Sequence, residues 1–103
     1  MSVYWDIYNK ISSSSRPQAG ENGPIWRLLK VQEEAGEVAQ AAIGYVGANK
    51  RKGFTHTTEQ VAAELADVVI AAMVAMHDWV ESPERFMKER LQELNERIRT
   101  EGS

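Results

Sequence analysis

The stretch from Val61 to Val80 is apolar along almost its whole length, yet two carboxylates, Glu64 and Asp67, sit inside it. An ionised carboxylate among Val, Ala, Leu, Ile and Met side chains is costly unless a cation or hydrogen-bond donors compensate it. The run is long enough to raise the question of a membrane span, but Glu64, Asp67, His77 and Asp78 argue against that reading. What remains is a helix buried on most faces of a water-exposed fold, its two acids turned toward something positive. Three residues apart, Glu64 and Asp67 share one helical face, about 60° from each other.

A second acidic group precedes the first. Glu33, Glu34 and Glu37 lie in KVQEEAGEVAQ, and Glu34 and Glu37 repeat the three-residue spacing. If the two helices pack together, four carboxylates converge, and their repulsion calls for a hard divalent cation such as Mg²⁺ or Mn²⁺. By itself E-E-x-x-E is weak, since charge runs are usually solvated faces and Lys30 can pair with Glu34 one turn away. Two such motifs on adjacent helices point to a metal site. Gly36, inside the first motif, costs roughly 1 kcal/mol relative to alanine in a helix, so it implies a close helix crossing or access to the site.

The 103 residues make one domain, residues 1–103, near the small end of what buries a core alone. Four helices and no strand are expected, an all-α, four-helix-bundle-like chain. The first spans about residues 3–12, with Ser2 a candidate cap. A loop rich in Ser, Pro and Gly runs from Ser12 to Gly23. Pro24 then opens a helix over about 24–46. Asn49 to His56 forms a basic loop, after which Thr57 and Gln60 form a capping box for a helix over about 57–80. Ser82 and Pro83 cap the last, about 83–99, whose Phe86, Met87, Leu91, Leu94 and Ile98 make one apolar stripe. The third helix is apolar nearly all round apart from its acids. Four helices of one short chain can hardly enclose it, so a homodimer or homotetramer is expected.

The net charge of −3 argues against a nucleic-acid polymer or an anionic membrane as partner. The chain has no cysteine, which excludes disulfides and zinc–thiolate sites. No signal peptide is visible at MSVYWDIYNK, so a cytoplasmic location is the default expectation.

Together, Glu33-Glu34-Ala35-Gly36-Glu37 and, after 26 intervening residues, Glu64-Leu65-Ala66-Asp67 resemble the paired motif of the MazG-like, all-α nucleoside triphosphate pyrophosphohydrolases. The resemblance covers roughly Ile25 to Met76, with a weaker match in the last helix. It implies a helical domain that assembles as a dimer or tetramer. It also implies an Mg²⁺-dependent hydrolysis of a (d)NTP to (d)NMP and pyrophosphate, the chemistry of a house-cleaning enzyme of nucleotide pools. Glu34, Glu37, Glu64 and Asp67 match the metal-binding acids of the family. Glu33 matches a more variable acid, a second-metal ligand or a base for water, so that Glu33, Glu34 and Glu37 are the catalytic candidates. An acidic pocket holds a polyanionic triphosphate only with divalent cations bridging carboxylates and phosphate oxygens, which makes the implied chemistry reasonable.

Lys50, Arg51 and Lys52 are candidates for neutralising the outer phosphates, with solvated helix-end charge the plainer alternative. Trp26 and Lys30 lie on nearly the same face as Glu33 and Glu37. Trp26 is a candidate for stacking on a base, Lys30 for touching phosphate or pairing with Glu34. Asn95, near Arg97 and Arg99, resembles the helix that closes the site in some relatives, although Leu91 stands where a lysine is common. A di-iron carboxylate bundle is disfavoured because the second motif ends in Asp67 rather than His. The competing non-enzymatic reading is a helical nucleotide-binding or regulatory interaction module of the same fold.

Overall fold

A computed structural model of the chain describes residues 3–13 and 22–101, which form four α-helices and no strand. These are α1 (Val3–Ser13), α2 (Gly23–Val46), α3 (Thr58–Met76) and α4 (Pro83–Glu101). The Ser2 cap and most of the serine-rich loop lie outside the described residues.

Local chemistry accounts for most of the helix ends. Pro24 stands in the first turn of α2, where its missing N–H costs nothing. At the other end Gly47 takes the left-handed conformation, φ 66°, and its N–H is donated to the Ile43 carbonyl. A Cβ on Gly47 would also lie 2.9 Å from the Phe54 ring. The turn after α2 is closed by the N–H of Gly53, donated to the Asn49 carbonyl at 2.8 Å. Thr57 and Gln60 form a complete capping box on α3. The Thr57 N–H donates to Gln60 Oε1 at 2.8 Å, and the Gln60 N–H donates to Thr57 Oγ1 at 3.2 Å. At α4, Ser82 accepts from the Arg85 N–H through Oγ and from the Phe86 N–H through its carbonyl.

The third helix is shorter than its hydrophobic pattern suggests. It ends at Met76, not near Val80. Beyond it the backbone tightens into three-residue turns, with the N–H groups of His77, Asp78 and Trp79 donated to Val74, Ala75 and Met76. The tightening coincides with a tether, because the Asp78 carboxylate is gripped by Arg27 of α2 and Tyr8 of α1.

α2 and α3 pair along their length as a helical hairpin. α1 packs on α3, and α4 touches α3 only near its start. The segment leading into α3 lies close against α2 at Gly44, where the Thr55 N–H donates to the Gly44 carbonyl at 2.9 Å and a Cβ would collide with the His56 ring and the Thr55 hydroxyl. Fully buried apolar residues among those described are few: Ala41, Met73, Val74 and Ala75. The expectation that α3 is buried on most faces is not met within one chain. Leu65, Val69 and Ile70 are 50%, 55% and 37% exposed, because α2 and α1 pack against α3 and none of the described residues covers these three. No helix among the described residues is long and apolar enough to cross a membrane.

Candidate metal centre

Helix pairing brings the two acidic motifs into one place. Glu34 and Glu37 stand a turn apart on α2, and Glu64 reaches them from α3. One carboxylate oxygen from each lies within 4.8 Å of the others. The three differ in surroundings: the Glu34 side chain is only 12% exposed, Glu64 is half-buried, and Glu37 is exposed. Glu64 Oε2 is buried and has no hydrogen-bond partner among the described residues. Orphaned buried acceptors are rare, since such an oxygen loses its hydration and gains nothing in return.

Like charges so close perturb one another. Glu37 is raised above its ordinary value near 4.5, first by a hydrogen bond with Glu34 and by the charge of Glu34. Partial desolvation and the charge of Glu64 add to the same effect. In the absence of a cation, protonation of Glu37 relieves part of the repulsion. A hard divalent cation could relieve it better, because one oxygen from each of the three carboxylates is close enough to the others to share an ion. The donor set is all oxygen, which suits Mg²⁺, Mn²⁺ or Ca²⁺ and does not select among them.

The remaining expected site residues are distributed as follows. Asp67, one turn beyond Glu64, is exposed and is not in the group whose oxygens converge. The roughly 60° between the two acids is enough to turn Asp67 away from α2 while Glu64 faces it. Its carboxylate therefore lacks the buried setting that the apolar run suggested. Glu33 is exposed and is held by Lys30, whose Nζ lies 3.3 Å from Glu33 Oε1 and 3.1 Å from Glu34 Oε1. Those two partners, Glu34 first, raise the Lys30 ammonium above its ordinary value. The i,i+4 pairing anticipated for Lys30 and Glu34 is present. Trp26 is 47% exposed, so it is not a core residue of this chain. Lys50, Arg51 and Lys52 are exposed in the α2–α3 turn, where Asn49 Oδ1 accepts from the Arg51 N–H. Asn95 is exposed on α4. Gly36 faces open space, with nothing within 4 Å of where a Cβ would stand, so no described helix of this chain crosses there.

A second polar cluster was not anticipated from the sequence. Arg27 grips Asp78 at two points, Nε to Oδ2 at 2.5 Å and Nη2 to Oδ1 at 2.8 Å. The Tyr8 hydroxyl donates to Asp78 Oδ1 at 2.7 Å, and the Arg27 guanidinium lies 4.7 Å above the Tyr8 ring. The His77 ring packs against Trp5 and Tyr8, centroids at 5.1 and 5.5 Å. Burial would push the Asp78 carboxyl up, but the hydrogen bonds from Arg27 and Tyr8 and the charge of Arg27 outweigh it and hold the group below its ordinary value. The signal available in the sequence was Arg27, two turns before Glu34 and on the same α2 face, opposite an acid at the end of an apolar helix.

Comparison of the chain with protein-family models, with curated proteins and with solved structures finds no match.

Proposed function

We propose that this chain is a divalent-cation-dependent nucleoside triphosphate pyrophosphohydrolase, with Mg²⁺ the metal. The observation that carries the reading is the convergence of one carboxylate oxygen each from Glu34, Glu37 and Glu64 of two helices, together with a buried Glu64 Oε2 that has no hydrogen-bond partner among the described residues. The motif spelled by Glu33 to Glu37 and Glu64 to Asp67, with its resemblance to the MazG-like enzymes, supplies the reaction.

In this reading Glu34, Glu37 and Glu64 would hold the cation, with Asp67 a further carboxylate one turn along α3 outside the converging group. A cation held there would supply charge screening for the triphosphate and stabilisation of the departing pyrophosphate. Water adds at the α-phosphorus, the bridging bond to the β-phosphate oxygen breaks, and monophosphate and pyrophosphate separate. Glu33, beside the cluster and paired with Lys30, is the candidate base for the water in this reading. Lys30, Lys50, Arg51 and Lys52 supply cations for the phosphates, and Trp26 and Asn95 supply contacts for the nucleoside. A homodimer or homotetramer is part of the same reading.

The test is release of pyrophosphate and monophosphate from a panel of canonical and damaged (d)NTPs, with Mg²⁺ and with Mn²⁺. Turnover that Glu64→Gln abolishes, in a protein that stays helical by circular dichroism, supports the assignment. Absence of turnover across the panel counts against it. The Lys30–Glu34 ion pair favours a second reading, because it neutralises part of the cluster from within. That reading is a non-catalytic module of the same fold, which calorimetric titration with Mg²⁺ and a non-hydrolysable triphosphate distinguishes from the first.

A further inference from the structure

The acidic cluster already holds one cation, and that cation is its own. Lys30 Nζ lies 3.1 Å from Glu34 Oε1 and 3.3 Å from Glu33 Oε1, touching one carboxylate of the converging group and one beside it. The two pairs differ in kind. The Glu33 side chain is 61% exposed, so its bond to Lys30 is an ordinary solvated contact. The Glu34 side chain is only 12% exposed, and a carboxylate that has lost most of its water depends on the positive charge that replaces it. Lys30 itself is half-exposed, so its ammonium answers Glu34 without being locked in place.

Helical spacing sets this arrangement. Residues 30, 33, 34 and 37 are three and four apart, so one ammonium reaches both Glu33 and Glu34 while Glu37 stands a turn farther on. Of the three converging carboxylates, Glu34 is the one with a cationic side chain against it. Glu37 and Glu64 are in no ion pair among the described residues. A metal ion sharing one oxygen of each carboxylate would therefore meet Lys30 at Glu34. Repulsion between a divalent ion and an ammonium about 6 Å apart lowers affinity about tenfold even in a water-like dielectric. The flexible lysine stem lets the ammonium leave Glu34 without moving the helix, and Glu33 is already within its reach.

Resting on the reading of this cluster as a metal centre, we propose that Lys30 is its built-in competitor. The ammonium neutralises Glu34 in the metal-free site, withdraws to Glu33 when a divalent cation takes Glu34, and so sets the metal affinity. Withdrawal also couples the two ligands of the site. An ammonium held by Glu33 alone is available to phosphate oxygens, so an anion that recruits Lys30 strengthens metal binding and is strengthened by it to the same degree.

Calorimetric titration with Mg²⁺ or Mn²⁺ alone, at low salt, compares the wild type with Lys30→Met and Lys30→Arg, each checked for helix content. Lys30→Met is expected to bind metal about three- to tenfold more tightly than the wild type, and Lys30→Arg, which keeps the charge, no more tightly. Equal affinity in the wild type and Lys30→Met overturns the proposal and leaves the metal reading standing. Weaker binding in Lys30→Met overturns it too, since the ammonium would then be positioning Glu34 for the metal. Binding by Lys30→Met alone supports an ammonium that keeps the site closed, whereas no binding by any of the three overturns the metal reading and the proposal with it. A second readout needs no substitution in the protein under test. After reductive methylation with isotope-labelled formaldehyde, which preserves the charge, the Lys30 methyl resonance is identified by its absence from Lys30→Met. Saturation of the methylated wild type with diamagnetic Mg²⁺ is expected to shift it, and a stationary resonance overturns the withdrawal from Glu34.

Discussion

Arg27 and Asp78, 51 residues apart in sequence, meet in a two-pronged ion pair whose side chains are only 13% and 4% exposed. With Tyr8 donating to the same carboxylate, this one group ties α1, α2 and the end of α3 together. Removing one partner of such a pair leaves the other charge desolvated and unanswered, which costs more than the intact pair gains. We expect Asp78→Ala to destabilise the fold by about 2–3 kcal/mol in urea unfolding, with the double variant Arg27→Met, Asp78→Ala recovering part of the loss.

The same pair has a pH signature. Asp78 is held below its ordinary value near 3.8, so its contribution to stability is fully present above that value. It is lost as the pH falls through the depressed folded value. Acid unfolding of Asp78→Asn is therefore expected to be flatter below about pH 4 than that of the wild type. Superimposable acid limbs would show that the pair is not formed in solution.

Metal binding at Glu34, Glu37 and Glu64 should register as stability, since the folded hairpin assembles the ligands and the unfolded chain does not. At a metal concentration about a hundredfold above Kd, linkage gives ~2.7 kcal/mol, and we expect Tm to rise by at least about 5 °C with Mg²⁺ or Mn²⁺. Glu64→Gln is expected to erase most of that rise. An unchanged rise in the variant would place the metal elsewhere.

What the sequence made legible was the chemistry that acts locally. The Thr57–Gln60 box and Ser82 bond within a few residues and Pro24 fixes its own backbone, so helix starts could be read from residue type alone. The convergence of Glu34 and Glu37 with Glu64 was legible because helical periodicity and one packing assumption suffice. Asp67 was harder. Its exposure depends on which side of α3 is covered, and that is a property of neighbours, not of spacing. The end of α3 was misjudged for a related reason: Val80 continues the apolar pattern, but Asp78 is pulled out of the helix by residues 51 and 70 positions away.

Two glycines of α2 should respond oppositely to alanine. At Gly44 a Cβ collides with His56 and Thr55, and a backbone hydrogen bond pins the two segments together, so Gly44→Ala is expected to destabilise by roughly 1–3 kcal/mol. At Gly36 a Cβ meets nothing within 4 Å, and the helix gains intrinsic propensity. Gly36→Ala is therefore expected to stabilise by about 0.5–1 kcal/mol. Thermal unfolding of the two variants side by side decides the matter; a Gly36→Ala protein less stable than wild type would mean that another chain packs against this face.

Glu37 gives the opposite pH dependence to Asp78. Crowding by Glu34, and then by Glu64, raises its folded value above the ordinary 4.5. The folded state therefore binds this proton more tightly than the unfolded chain does. The resulting stabilisation is fully present below the unfolded value and is lost as the pH rises through the folded one. Without divalent metal, lowering the pH through the raised Glu37 value is expected to stabilise the wild type more than Glu37→Gln. A divalent cation must displace the same proton to bind. Calorimetric titrations at two pH values, each in buffers of different ionisation enthalpy, are expected to report more proton release on metal binding at the lower pH. Proton release that does not change between these conditions would separate the metal site from Glu37.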